Sequence, residues 1–241
     1  MPARSNIQHR TNNCCKAIKG GVSIFNMILY QEREAIVIFG NRMLKANLTT
    51  GSGGNLSLFN RQKNLIAITP SGIEYPDLSP EDILVLAPDG RVVDGNNKPS
   101  SEIGFHLALY QKRQDISAVV HTHSTYATTY ACLNREIPAV HYLVGFSGNK
   151  VPLAPYATFG TEALAIAVAN SIQNYNAVLL ANHGLVAVGT TMKRAFNTAE
   201  EIELVARLCF QAEAIGTPII LSDNEMTKVV EKFASYGPGE E

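Results

Sequence analysis

Ile116-Ser117-Ala118-Val119-Val120-His121-Thr122-His123 is an apolar run that ends in a His-x-His. Its uncharged body, rich in β-branched residues, has the length and composition of a buried strand, and side chains two residues apart on a strand leave the same face. His121 and His123 are therefore expected to project together, which is a metal-binding geometry. Two further donors strengthen it: Glu102, at the head of an amphipathic segment just upstream, and His183, in a second apolar run broken at Asn182-His183-Gly184. Three neutral imidazoles and a carboxylate are a sufficient ligand set for zinc, with the carboxylate able to give way to a substrate.

Plainer readings compete with this one. Lone histidines are usually structural or solvated, and His9, His106 and His141 are assigned to that class. An acid in a first helical turn complements the helix dipole with no further duty. Glu102, however, directly follows Ser100-Ser101, two polar residues that could hold an anion beside it.

The remaining pattern places these groups in one architecture. Helical spacing over 32–46 puts Ile36, Phe39, Met43 and Ala46 near one stripe, and a polar, glycine-rich loop follows at 48–55. Short strands are expected at 56–59, 65–69, 83–86 and 91–93, the last two joined across Pro88-Asp89-Gly90. A helix over 101–113, with Ser101 near its N-cap and Glu102 in its first turn, precedes the histidine strand. Further helices are expected at 161–174 and 192–215, with a strand pair over 177–188 around the Asn-His-Gly break. Interleaved helices and short strands imply an α/β fold: a single-domain sandwich in which helices cover a central, mainly antiparallel sheet.

Length and charge bound the partners. At 241 residues the chain can bury a large core, and no interdomain linker is visible. Twenty basic residues against twenty-one acidic ones give no global field for nucleic acid or an anionic membrane. A small phosphorylated ligand, met by local groups, fits better than a polymer. No apolar stretch approaches the roughly 20 residues of a membrane-spanning helix. Cys14, Cys15, Cys132 and Cys209 have neither zinc-ribbon nor secreted-framework spacing, so a reducing, cytoplasmic setting is expected. Residues 1–26 carry Arg4, Arg10, Lys16 and Lys19, no acid and no clear periodicity; they read as a disordered or misassigned leader before a domain spanning 27–241.

Three segments offer hydroxyls or bare backbone to a phosphate. Gly51-Ser52-Gly53-Gly54-Asn55 can present consecutive N–H groups as an anion nest, although it lacks the Gly-Lys-Ser/Thr ending of a nucleotide loop and follows a helix where a dinucleotide loop follows a strand. Ser71-Gly72 and Ser100-Ser101 are the other two.

Taken together, these motifs resemble the class II, metal-dependent family of sugar-phosphate aldolases, epimerases and adducin heads. The resemblance spans nearly all of 27–237. It rests on Gly-Ser-Gly-Gly-Asn at 51–55, Ile-Thr-Pro-Ser-Gly-Ile at 68–73, Ser-Ser-Glu at 100–102 with Phe-His at 105–106, and Val-Val-His-Thr-His at 119–123. It continues through Leu-Asn-Arg-Glu-Ile-Pro-Ala at 133–139 with His141-Tyr142, Ala-Pro-Tyr-Ala-Thr-Phe-Gly-Thr at 154–161, Asn-His-Gly-Leu at 182–185 and Glu-Lys-Phe-Ala-Ser-Tyr-Gly at 231–237. The resemblance implies one zinc ion on His121, His123 and His183, with Glu102 as the ligand that swings off to become the general base. It implies a substrate phosphate on Ser52, Gly54, Asn55, Ser71, Gly72, Ser100 and Ser101. Ser52 and Ser71 stand where the family's fuculose-phosphate members carry threonines, so both hydroxyls survive. Tyr142 matches a proton donor and acceptor supplied by a neighbouring subunit of a homotetramer, while Phe159, Phe233 and Tyr236 match residues lining the aldehyde end. The last two also place 231–236 as a mobile cover.

The implied reaction is reversible aldol cleavage of a ketose 1-phosphate, L-fuculose 1-phosphate in the first instance, to dihydroxyacetone phosphate and L-lactaldehyde. Related readings remain within the family: a pentulose-phosphate epimerase, a dehydratase or other lyase, a deoxypentulose-phosphate aldolase, or a non-catalytic adducin-like interaction module. Glutamate rather than the shorter aspartate of the epimerases at position 102 favours aldol cleavage, and retention of all three histidines argues against the module.

Overall fold

Residues 27–234 are described by the computed structural model of the chain; the expected leader and Tyr236 lie outside them. In chain order the elements are α1 (Tyr30–Lys45), β1 (Asn55–Asn60), β2 (Leu65–Ile68), β3 (Leu84–Leu86), β4 (Val92–Asp94), α2 (Ile103–Lys112) and β5 (Ala118–Thr122). There follow α3 (Thr125–Cys132), β6 (Leu153–Ala154), α4 (Glu162–Ile172), β7 (Ala177–Leu180), β8 (Gly184–Gly189), α5 (Met192–Ile215) and α6 (Asp223–Ala234). The strands form one sheet in the order β4-β3-β2-β1-β5-β8-β7-β6, with every pairing antiparallel except the short β6–β7 contact. The histidine strand is thus interior, flanked by β1 and β8. Among the described residues no helix is long and apolar enough to cross a membrane.

Strand periodicity divides the core into two layers. On one face, Leu56, Ala118, Val120, Leu185 and Ala187 pack under Ile36 and Met43 of α1, Ala127 and Tyr130 of α3, and Phe196 and Ile202 of α5. On the other, Val119, Val178, Val186 and Val188 pack under Phe105 and Leu109 of α2 and Leu164 and Val168 of α4. His121, two residues beyond Val119, must leave on the α2 side, and its ring stands edge-on to Phe105 with centroids 5.5 Å apart. The alternation that builds the core therefore also delivers the histidine to the helix that follows Glu102.

Local sequence signals explain most element boundaries. α5 begins where the Thr191 hydroxyl accepts the Arg194 N–H at 3.2 Å, and α4 where Thr161 accepts the Leu164 N–H at 3.3 Å. α2 departs from expectation. Ser101 does not cap it: Glu102 occupies the cap position, and the Glu102 N–H instead reaches Ser100 Oγ at 3.3 Å. The helix α3, TYATTYAC, is not expected from sequence: its 8 residues are too few for a helical period to repeat clearly.

The segment expected to act as a cover is helical as far as Ala234: it is the end of α6, and Phe233 lies against Phe146 (4.8 Å) and Tyr142 (6.2 Å) of a short 3-10 turn, Tyr142–Phe146. Met226, Val229, Val230 and Phe233 recur at helical spacing, so the segment has an apolar stripe to dock, with Met226 fully buried.

Gly54 fixes how the glycine-rich loop enters β1. Its φ is +69°, and a Cβ there would run into the His121 carbonyl oxygen, a backbone atom held in the sheet. Gly54→Ala should therefore cost at least about 2 kcal/mol through left-handed strain plus the clash. The expected outcome is a lowered urea midpoint with weaker metal binding and an unchanged far-ultraviolet spectrum; wild-type metal binding would show that the loop can move away freely.

Candidate active site

Four elements converge on one spot. β5 brings His121 and, just past its end, His123; the residue before α2 is Glu102; and the turn between β7 and β8 carries His183. That turn is tight for two local reasons. Asn182 takes the left-handed conformation (φ 54°), which asparagine tolerates, and Gly184 has no Cβ to strike the Thr122 carbonyl. The four side chains offer ligand atoms that all lie within 4.8 Å of one another. His121 Nε2 is 3.1 Å from His123 Nε2 and 3.2 Å from Glu102 Oε2, while His183 Nε2 is 3.3 Å from Glu102 Oε1.

The donor chemistry fits a divalent cation. His121 Nδ1 is 2.9 Å from the Leu185 carbonyl oxygen, which can only accept, so that nitrogen carries hydrogen and the ring turns its Nε2 toward the other ligands. Glu102 Oε1 is buried with no hydrogen-bond partner. Lone pairs and a carboxylate packed this closely repel one another unless positive charge sits among them.

Titration behaviour agrees. Burial, reinforced by the neighbouring rings, lowers His123 and His183 to about 4, although His123 keeps an outer edge open to solvent. For Glu102, burial alone would raise the carboxyl, but charge on and hydrogen bonding to the His121 ring, then His183 and the Asn55 amide, outweigh it and hold the group at about 2. At neutral pH His123 and His183 are thus neutral and Glu102 is ionised, the protonation states a metal requires of them.

The expected phosphate groups gather around this cluster. Gly53 and Gly54 back onto His123 Nδ1 and the His121 carbonyl, and Ser52 is exposed beside them. The Ser71 and Ser100 segments run side by side, joined by Ser71 N–H to Lys98 O (2.8 Å) and Ser100 N–H to Thr69 O (3.1 Å). Ser71, Gly72 and Ser101 are exposed, while Ser100 is buried. Asn55 differs from the other expected contacts: its Nδ2 donates to Glu102 Oε2 at 2.9 Å and its Oδ1 meets His106 Nε2 at 2.5 Å, so the amide is committed to the protein. Gly160 backs onto the Ser101 carbonyl, which sets the exposed Phe159 next to the serine turn. Tyr142 and Phe233 pack on each other instead, and Tyr142 is half exposed.

Sequence reading missed the polar groups behind Glu102. His106, assigned to the structural class, is fully buried and bonded through Ser57 to Tyr110. A usable signal was present: Glu102, His106 and Tyr110 recur every fourth residue and so share a helix face.

A helix-covered, mainly antiparallel sheet with this Glu/His cluster defines a metal-capable α/β protein. The sequence profile of the Class II Aldolase and Adducin N-terminal domain family matches residues 34–210, and the chain belongs to that family. It is 51% identical to a 5-deoxy-D-ribulose 1-phosphate aldolase of Bacillus thuringiensis, over 88% of this chain and 99% of that one. It is 42% identical to the L-fuculose phosphate aldolase of Escherichia coli K12, over 81% of this chain and 90% of that one. A solved L-fuculose 1-phosphate aldolase superposes with a TM-score of 0.85 at 43% identity, covering 86% of this chain and 98% of its own. The protein is a class II aldolase.

The depressed histidines carry a pH consequence. Their folded values, about 4, lie below the ordinary 6.5, so between those limits the unfolded chain takes up protons that the folded chain refuses, and stability falls with pH. Glu102, at about 2 against 4.5, extends the loss below pH 4.5. Chelated, metal-free protein is expected to show this decline in urea titrations between pH 7 and 4; a flat profile across that range would show rings in free exchange with water.

Proposed function

We propose that the protein catalyses the reversible aldol cleavage of a ketose 1-phosphate to dihydroxyacetone phosphate and a short aldehyde, with one zinc ion per chain held by His121, His123, His183 and Glu102. The observation that carries this reading is the convergence of Glu102, His121, His123 and His183, whose ligand atoms lie within 4.8 Å of one another, with a buried Glu102 oxygen that has no hydrogen-bond partner. When bound, the metal would supply Lewis-acid polarisation of the ketose oxygens and a sink for the electrons of the broken carbon–carbon bond.

The chain's own residues supply binding and proton transfer. Ser52, Gly54, Ser71, Gly72, Ser100 and Ser101 hold the phosphate through hydroxyls and backbone N–H groups, a neutral cradle that matches a chain with a net charge of −1. Asn55 contributes its second amide hydrogen at most and chiefly restrains Glu102. Glu102 moves the proton at the carbon that becomes the hydroxymethyl group of dihydroxyacetone phosphate, for which an ionised, partly desolvated carboxylate is suited. Tyr142, half exposed and resting on Phe233, serves the aldehyde oxygen of a neighbouring copy's site, in a homotetramer whose sites lie between subunits. Phe159 and Tyr236 line the aldehyde end.

Among ketose 1-phosphates, a 5-deoxypentulose phosphate is placed first and L-fuculose 1-phosphate second, because identity to the named deoxyribulose-phosphate aldolase is higher and extends over more of the chain. Both end in a methyl group and their aldehyde halves differ by one CHOH unit, which an apolar pocket alone discriminates only weakly. Retro-aldol assays with 5-deoxyribulose, L-fuculose, L-rhamnulose and D-ribulose 1-phosphates, scoring dihydroxyacetone phosphate, test the proposal. The expected order of kcat/KM begins with 5-deoxyribulose 1-phosphate and continues with L-fuculose 1-phosphate; activity on none of the four sinks it.

Glu102→Gln isolates the proton step. An amide cannot accept the carbon-bound proton at neutral pH, so exchange of that proton on dihydroxyacetone phosphate should fall at least about 100-fold. Wild-type exchange in the variant would assign the base elsewhere.

A further inference from the structure

Behind Glu102 a chain of polar groups runs inward between α2 and β1. Glu102, His106 and Tyr110 occupy one face of the helix segment, Asn55 and Ser57 one face of the strand, and the two sets interdigitate. Glu102 Oε2 meets Asn55 Nδ2 at 2.9 Å, Asn55 Oδ1 meets His106 Nε2 at 2.5 Å, His106 Nδ1 meets Ser57 Oγ at 2.6 Å, and Ser57 Oγ meets Tyr110 OH at 2.7 Å. All five residues are buried, three of them at 2% exposure or less.

With Glu102 ionised, one arrangement of hydrogens satisfies every link. The carboxylate oxygen only accepts, so Asn55 turns its NH2 toward it and its carbonyl toward His106. That carbonyl also only accepts, so His106 carries its hydrogen on Nε2. Burial keeps the ring neutral, with its pKa lowered to about 3, so Nδ1 is a lone pair that takes the Ser57 hydroxyl hydrogen. Ser57 Oγ in turn accepts from Tyr110. Every hydrogen bond in the chain is therefore donated toward Glu102. An Asn55 amide freed from His106 could rotate its carbonyl toward the carboxylate and push Glu102 out of place.

We infer that His106 is a positioning residue for Glu102: through its Nε2–H it locks the Asn55 amide, which anchors one carboxylate oxygen and leaves the other facing His183. The inference rests on the proposed role of Glu102 as ligand and base. A purely structural His106, filling space beneath Phe105, would make the same contribution to packing but none to metal affinity or turnover.

The test compares His106→Leu, which removes the N–H, with His106→Gln, whose amide can place a donor near the Nε2 position; Tyr110→Phe probes the far end of the chain while keeping the ring. Three quantities are read: zinc affinity of the metal-free protein by chelator competition, kcat and KM on the best ketose phosphate, and the ring tautomer of His106 by nitrogen-15 NMR of metal-free wild type. Loss of a group that orients a metal ligand typically costs about 10- to 100-fold in metal affinity or activity. His106→Leu is expected to fall in that range in both zinc affinity and kcat with KM little changed, and His106→Gln to recover most of each. Tyr110→Phe should produce a smaller loss in the same direction. Wild type should show His106 protonated at Nε2 alone. Wild-type affinity and kcat in His106→Leu, or a ring protonated at Nδ1 alone, would overturn the inference. If His106→Leu does not fold, the tautomer and Tyr110→Phe decide it. Because zinc affinity and tautomer are measured without substrate, they also stand if the protein cleaves none of the sugars tried.

Discussion

The pairing of Asn55 with His121 across β1 and β5 is the contact on which the site depends. It sets which residue of β1 lies beside His121, brings the glycine loop over His121 and the His123 that follows β5, and aligns the Asn55 amide with the carboxylate ahead of α2. A slip of one residue in this register would turn His121 away from α2 and send the loop to the wrong side of the sheet. The register is held by burial on both faces: Val119 belongs to one core layer, while Ala118 and Val120 belong to the other. Gly54 then permits the loop to approach the His121 carbonyl more closely than any side chain would allow.

Two demands with opposite electrostatics meet at this point. A metal site needs neutral imidazoles and an ionised carboxylate in close contact, whereas burying a carboxylate among lone pairs is unfavourable without compensation. The structure meets both by withdrawing water from His123 and His183, which lowers their affinity for protons, and by giving Glu102 one firm hydrogen bond on one oxygen only. The second oxygen has no hydrogen-bond partner. The carboxylate is thus anchored through an amide on one oxygen and faces His183 with the other.

Two different means bring the neighbouring segments to the metal-capable cluster. The Ser71 and Ser100 segments are joined by Pro70–Pro99 bridging, and the glycine loop is carried in by the β1–β5 edge. The cluster itself stands on a strand end, a helix start and a hairpin tip. Gly160 backs onto the Ser101 carbonyl with Phe159 exposed beside it, and Tyr142 and Phe233 pack on each other.

By itself the sequence determined the ligand set and the layered fold, because both are written in local periodicity. Alternation in 116–123 sent two histidines to one face, Asn182-His183-Gly184 marked a strand reversal, and the threonines before α4 and α5 marked their starts. Only the tertiary structure decided what Asn55 and His106 do. Asn55 sits in a motif that suggested phosphate contact, yet its amide is taken by two buried partners from a helix 47 and 51 residues further along the chain. His106 looked like an ordinary core histidine because a hydrogen-bond partner on another element leaves no mark on a residue's own neighbours in sequence. The same holds for Phe233, whose ring meets Phe146 and Tyr142 of the 3-10 turn, a contact that its neighbours in sequence do not announce. Periodicity records which face a residue takes, whereas the partner it meets there depends on chain segments brought close by folding.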